Sequence, residues 1–159
     1  MLTRNIDDLD RIYMDEALAL ARRALDSEDV PVGAVVVREG RIIGRGYNQR
    51  EHLQDPTAHA EMIALTAAAQ AVNCWRLDGC TMYVTLEPCA MCAGALVLSR
   101  IDRLVFGATD SKAGACGSLF NIQHDERLNH RIQTTSGVLA EPCAELLRAF
   151  FRERRRKGE

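Results

Sequence analysis

A chain of 159 residues, 47% of them hydrophobic, has the size of one domain with one core, spanning 1–159, and leaves no room for a second. A net charge of −2 excludes a uniformly basic nucleic-acid binder, although five of the six residues from Arg152 to Lys157 are basic. Met1 to Asp8 lack the apolar run of a signal peptide, and no window approaches the roughly 18 apolar residues of a membrane span, so a cytoplasmic protein without a membrane partner is expected.

Ile12, Ala17, Leu18, Ala21 and Leu25 recur at helical spacing and predict an amphipathic helix from about Arg11 to Leu25. The β-branched run from Val30 to Val37, the Glu39-Gly40 turn and the segment Arg41 to Tyr47 predict a hairpin whose first strand is buried on both faces. Asn48 to Asp55 reads as a polar loop. Asp55-Pro56 then supplies an acidic cap and a proline for a helix running to about Val72. Cys80 to Thr85 predicts a strand, Glu87-Pro88 the start of a second alanine-rich helix ending near Ser99, and Arg103 to Gly107 a short strand. A glycine-rich loop from Ala108 to Ser118 follows, in which Gly114 and Gly117 permit a tight turn or the close approach of a ligand. Arg131 to Val138 predicts a fifth strand. Glu141 to Lys157 predicts a terminal helix with Leu146, Leu147, Phe150 and Phe151 on its apolar side. Alternation of strands and helices implies an α/β domain, a central sheet with helices on both sides, which binds ligands at the carboxyl ends of its strands.

Two short stretches carry chemistry: His59-Ala60-Glu61, and Pro88-Cys89-Ala90-Met91-Cys92. Cys89 and Cys92, three apart in a first helical turn, aim both sulfurs at one point, where free backbone N–H groups favour thiolates. With His59 they make three zinc ligands, the number found in catalytic rather than structural sites. Glu61 is left to move protons beside a zinc-activated water. His52, His124 and His130 have no partner at zinc spacing and read as surface or loop residues. Glu141-Pro142-Cys143 imitates the second stretch, but Leu146 stands where a second thiolate would be. Cys143 therefore reads as packing at a helix start, and Cys74, Cys80 and Cys116 as structural or incidental. No disulfide is expected in a reducing compartment. The terminal basic run suits either a solvated helix end or contact with RNA phosphates.

His-x-Glu followed by Pro-Cys-x-x-Cys resembles the signature of the zinc-dependent nucleobase deaminases. The likeness extends from Arg11 to Lys157, through Val30-Pro-Val-Gly-Ala, Gly46-Tyr-Asn48, Asp55-Pro-Thr-Ala-His-Ala-Glu61, Tyr83-Val-Thr-Leu-Glu-Pro-Cys-Ala-Met-Cys92 and Phe106-Gly-Ala-Thr-Asp-Ser-Lys-Ala-Gly114. In these segments the chain is similar to the bacterial tRNA-specific adenosine deaminases of the cytidine deaminase superfamily. Cys116 departs mildly, where a small residue such as alanine is expected. The resemblance implies a three-layer α/β/α cytidine-deaminase-like fold with a central mixed five-stranded sheet. It further implies one Zn2+ per subunit, a homodimer, and hydrolytic deamination of the wobble adenosine of a tRNA anticodon stem-loop to inosine. Substrate contacts implied in the same way are Asn48 and Ala60 in the base pocket, Val30 packing on the base, and Asp110 near the backbone of the flipped nucleotide. Deamination of free guanine, cytosine or cytidine, and a non-catalytic zinc-stabilised RNA-binding subunit, are the alternatives.

Overall fold

The computed structural model describes residues 5–158; the signal-peptide reading of Met1 to Arg4, and the ends of the 1–159 span, lie outside the described residues. In chain order the elements are α1 (Ile6–Ala24), β1 (Gly33–Arg38), β2 (Arg41–Tyr47), α2 (Arg50–Leu53), α3 (Ala60–Val72), β3 (Cys80–Leu86), α4 (Ala90–Leu98), β4 (Arg103–Ala108), β5 (Gln133–Ser136) and α5 (Ala140–Arg156). Helix α1 starts at Ile6, five residues before the expected Arg11. Asn5 accepts the Asp8 N–H at 2.8 Å, and Asp7 and Asp8 sit where the helix dipole favours acids.

The sheet order is β2-β1-β3-β4-β5. β1 is antiparallel to β2 and β3, while β3, β4 and β5 are parallel, so four strands run one way and β1 runs against them. The carboxyl ends of β2, β3 and β4 and the start of β1 therefore share one end of the sheet.

Side chains alternate across the strands as a pleat requires. Ala34, Val36, Met82, Val84, Leu104 and Phe106 face α3 and α4, whereas Val35, Val37, Tyr83 and Val105 face α1 and α5. This is the expected three-layer α/β/α arrangement with a mixed five-stranded sheet, and β1 is buried on both faces. Gly44 and Gly46 let α3 lie directly on β2, because a Cβ at either would strike the carbonyl of Ala64 or Ala60. That contact sets where the first turn of α3 falls.

Two expected helix starts move. Asp55 does not cap α3: its Oδ1 accepts the Thr57 N–H and hydroxyl, both at 2.8 Å, closing an Asx turn, and α3 begins at Ala60 with His59 as its N-cap residue. Glu87-Pro88 likewise does not open α4, whose N-cap residue is Cys89. The stretch expected as loop between Asn48 and Asp55 contains α2, and β5 is shorter than predicted. No helix of the described residues is long and apolar enough to cross a membrane.

Candidate active site

N-cap positions usually carry a side chain that satisfies the first amides of the helix. His59 and Cys89 make no such bond. Their side chains turn towards each other instead, and Cys92 joins them from inside the first turn of α4. His59 Nδ1 lies 3.6 Å from Cys89 Sγ and 3.6 Å from Cys92 Sγ, and the three donor atoms all fall within 4.8 Å of one another.

A tetrahedral zinc with Zn–S of about 2.3 Å and Zn–N of about 2.0–2.1 Å places nitrogen and sulfur roughly 3.6 Å apart, so the separations of His59 from the two sulfurs suit that ion. Their electrostatics call for a cation as well. Hydrogen bonds from Cys92 and then His59 draw the Cys89 thiol well below the usual thiol range. The Cys89 sulfur then raises Cys92, with burial adding to the shift, and burial raises the Glu61 carboxyl. A divalent ion between the sulfurs removes the repulsion that opposes a second thiolate. Among the described residues no other histidine, cysteine or acid joins this group.

Around these donors lies a pocket of about 190 Å³ lined by Val30, Val32, Asn48, Arg50, His59, Glu61, Leu86, Glu87, Cys89, Asp110 and Ala113. Glu61, the second residue of α3, is only 4% exposed. Asn48 accepts the Ala60 N–H through Oδ1 at 2.8 Å, which fixes the amide and leaves its NH2 for the pocket. Ala60 is wholly buried, with its N–H directed at Asn48. Val30 and Asp110 stand on the pocket wall, and Asp110 Oδ1 accepts the N–H groups of Lys112 and Ala113 at 3.0 and 3.1 Å.

Val30, Leu86, Asp110 and Ala113 also line a broader groove of about 700 Å³, whose other wall is α5 with Arg148, Phe151, Arg152 and Arg155. Lys112 lines the groove on the loop side. The small pocket and the groove with its basic wall therefore adjoin, sharing Val30, Leu86, Asp110 and Ala113.

His52 and His124 are exposed, and His130 Nε2 sits 2.6 Å from the Ile101 carbonyl, away from the pocket. Cys143 is buried against Gly107 at the start of α5, as expected, and all six cysteines are free. Two residues of the site escape a motif search. Arg50 lines the pocket because α2 holds it there, and the first turn of α2 is capped by the buried Asp29, which accepts the Glu51 N–H at 2.9 Å across a separation of 22 residues. Glu87 is 2% exposed and accepts four hydrogen bonds from the glycine-rich loop. Burial pushes its carboxyl up, but the bonds from Ser118, Asp110 and Cys116 outweigh burial and leave it below the ordinary carboxylate range. The residue before a Pro-Cys pair was the only sequence signal for it.

Residues 7–108 match the family model of the cytidine and deoxycytidylate deaminase zinc-binding region. The chain belongs to this deaminase family. A tRNA-specific adenosine deaminase of Bacillus subtilis (strain 168) is 52% identical over 148 residues, covering 93% of this chain and 92% of the relative. A structure from a study of A-to-I editing by tRNA:A34 deaminases at the wobble position of transfer RNA aligns with a TM-score of 0.83 at 42% identity. It covers 86% of this chain and 99% of that one. A guanine deaminase from Bacillus subtilis aligns less fully, with a TM-score of 0.62 at 32% identity over 72% of this chain and 71% of its own. The zinc of this deaminase family suits the His59, Cys89 and Cys92 group, which is placed for one ion. The matched segment ends at Ala108, before the glycine-rich loop and α5.

Proposed function

We infer that this chain hydrolyses the wobble adenosine of a tRNA anticodon stem-loop to inosine, releasing ammonia. The observation that carries this reading is that the small metal-site pocket shares Val30, Leu86, Asp110 and Ala113 with the wide groove whose far wall is the basic α5. A free base needs only the pocket. The groove suits a nucleic-acid backbone, whose phosphates are held by lysine and arginine without reading of sequence. Full-length similarity to tRNA adenosine deaminases supports the same substrate.

When bound, zinc supplies the Lewis acidity that makes water nucleophilic at neutral pH. Glu61 takes the proton of the attacking water and returns protons to adenine N1 and to the departing ammonia, as the C6–N bond breaks and the C6–O bond forms. Its burial keeps bulk water from competing for that proton. Asn48 donates its NH2 to a ring-nitrogen acceptor, and Val30 packs on the face of the base. Asp110, whose carboxylate would repel a phosphate, suits a ribose hydroxyl beside the flipped nucleotide. Flipping costs less in a single-stranded anticodon loop than in a duplex.

Zinc-loaded protein incubated with an anticodon stem-loop carrying adenosine at the wobble position should release ammonia, and with guanine, cytosine or cytidine should not. Turnover of a free base would favour the smaller-substrate alternative. Zinc content without ammonia from any substrate would favour a non-catalytic RNA-binding subunit.

A homodimer is part of the same proposal. Helices α3 and α4 present Met62, Leu65, Ala69 and Ala95 beside Trp75 and Leu98, which are 63% and 71% exposed, an apolar face that a second copy would cover. Trp75→Glu should sediment as a monomer at concentrations where the parent protein sediments as a dimer; a dimeric variant would place the interface elsewhere. A tRNA substrate also supports a cytoplasmic location.

A further inference from the structure

We propose that Glu87 is the positioning residue that sets the loop of residues 108–118 against the active site, and with it the substrate-facing Asp110; this rests on the reading of the pocket given above. Glu87 belongs to no metal-ligating group and caps no helix. Its carboxylate is spent wholly on the loop. Oε1 accepts the Asp110 N–H at 3.0 Å and the Ser118 hydroxyl at 2.5 Å, and Oε2 accepts the N–H groups of Cys116 and Ser118 at 3.1 and 3.0 Å. Four donors converge on one buried side chain from both ends of the loop.

Adjoining backbone continues the attachment. The Glu87 N–H donates to the Ala108 carbonyl at 2.8 Å, and the Ala115 N–H donates to the Pro88 carbonyl at 2.8 Å. The segment that delivers Cys89 to the metal group thus also holds the pocket wall, and the two are built in a fixed relation. Gly114 lies so close that a Cβ there would collide with the Glu87 carboxylate. Glycine at this position therefore serves the approach of a protein side chain, where the sequence offered the approach of a ligand as one reason for it.

The second half of the loop has other attachments, with the Leu119 N–H donating to the Gly114 carbonyl and the Ile122 N–H to that of Ala115. Ala115 and Cys116 reach the core, but Ser111, Lys112 and Ala113 are exposed at the junction of pocket and groove. A buried carboxylate with four donors is the element that decides where those residues stand. Glutamine cannot replace it fully, since its NH2 would face the N–H groups of Cys116 and Ser118 in one orientation and the Asp110 N–H in the other, where only the Ser118 hydroxyl could turn to accept.

With zinc-loaded protein, Glu87→Gln is expected to raise KM for the anticodon stem-loop by about 10- to 100-fold while kcat falls less than about threefold, because misplacement of a binding wall weakens substrate binding before it touches proton transfer. Zinc content should stay at one per chain. Gly114→Ala, which displaces the loop without altering charge, should reproduce the rise in KM. Hydrogen exchange reads the same proposal without RNA: amides of residues 110–118 should exchange at least about tenfold faster in Glu87→Gln, with α4 amides unchanged. Unchanged exchange in the loop would overturn the proposal, as would loss of zinc or a fall in kcat at constant KM, which would make Glu87 a support of the metal group. An inactive parent protein whose Glu87→Gln variant still shows the faster loop exchange would overturn only the tRNA reading.

Discussion

Glu61→Gln is expected to bind zinc at one per chain, as the parent protein does, and to form inosine about 10²- to 10⁴-fold more slowly, the usual worth of a positioned proton-transfer group. Glutamine has nearly the shape of glutamate and fits the same buried space beside His59, so packing survives. It cannot accept the proton of water and hand it on. Inosine formed in the stem-loop is read by sequencing after reverse transcription, and zinc by elemental analysis of the same sample. Activity within threefold of the parent would remove Glu61 from the proton relay. Loss of zinc would instead assign it to the support of the metal.

A second large effect is expected far from the pocket. Asp10 of α1 is 2% exposed and accepts the Arg103 guanidinium through both oxygens, at 2.8 and 2.7 Å, and the Tyr83 hydroxyl at 2.8 Å. Arg103 also donates to Thr135 Oγ1 at 3.0 Å, so one carboxylate ties α1 to β3 and, through Arg103, to β4 and β5. Burial and the bond to Asp10 together push the Tyr83 hydroxyl above its ordinary range and keep it a donor. Asp10→Ala leaves a guanidinium whose side chain is 14% exposed without its counter-charge, and its Nε already has no partner. Stranding such a charge costs about 3–5 kcal/mol, a fall in melting temperature of roughly 6–20 °C for a chain of this size. Calorimetry checks it, and a loss below about 1 kcal/mol would reduce the pair to the standing of a surface ion pair. The exposed pairs of α5, such as Arg156 with Glu153, should show no more than that.

The groove explains how one deaminase pocket can serve a large substrate. Guanine deaminase shares much of the fold with this chain, and the family model ends at Ala108. The residues that make the groove basic come afterwards, Lys112 in the loop and Arg148, Arg152 and Arg155 on α5. Arg148 and Arg152 are shared with Glu145, which fixes their direction at some cost to their free charge. The basic terminal run, ambiguous between a solvated helix end and a phosphate contact, thus falls in part along the groove.

From the sequence alone the strands, the long helices and the zinc donors were legible, because each depends on local spacing: a period of two or 3.6, or ligands a few residues apart in a first turn. The start of α3 was misread for a local reason too, since Asp55 had a nearer donor in Thr57 than any helix amide. Only the tertiary structure decided what the two half-motifs become together. The parallel run of β2 and β3 brings the ends that lead to His59 and Cys89 to one end of the sheet, the glycines of β2 let α3 settle there, and two residues at N-cap positions turn their side chains to the metal. Asp29, Arg50 and Glu87 were not legible, since each acts through partners brought close by folding: Glu87 binds amides 23 to 31 positions away, and no sequence period records a bond of that kind.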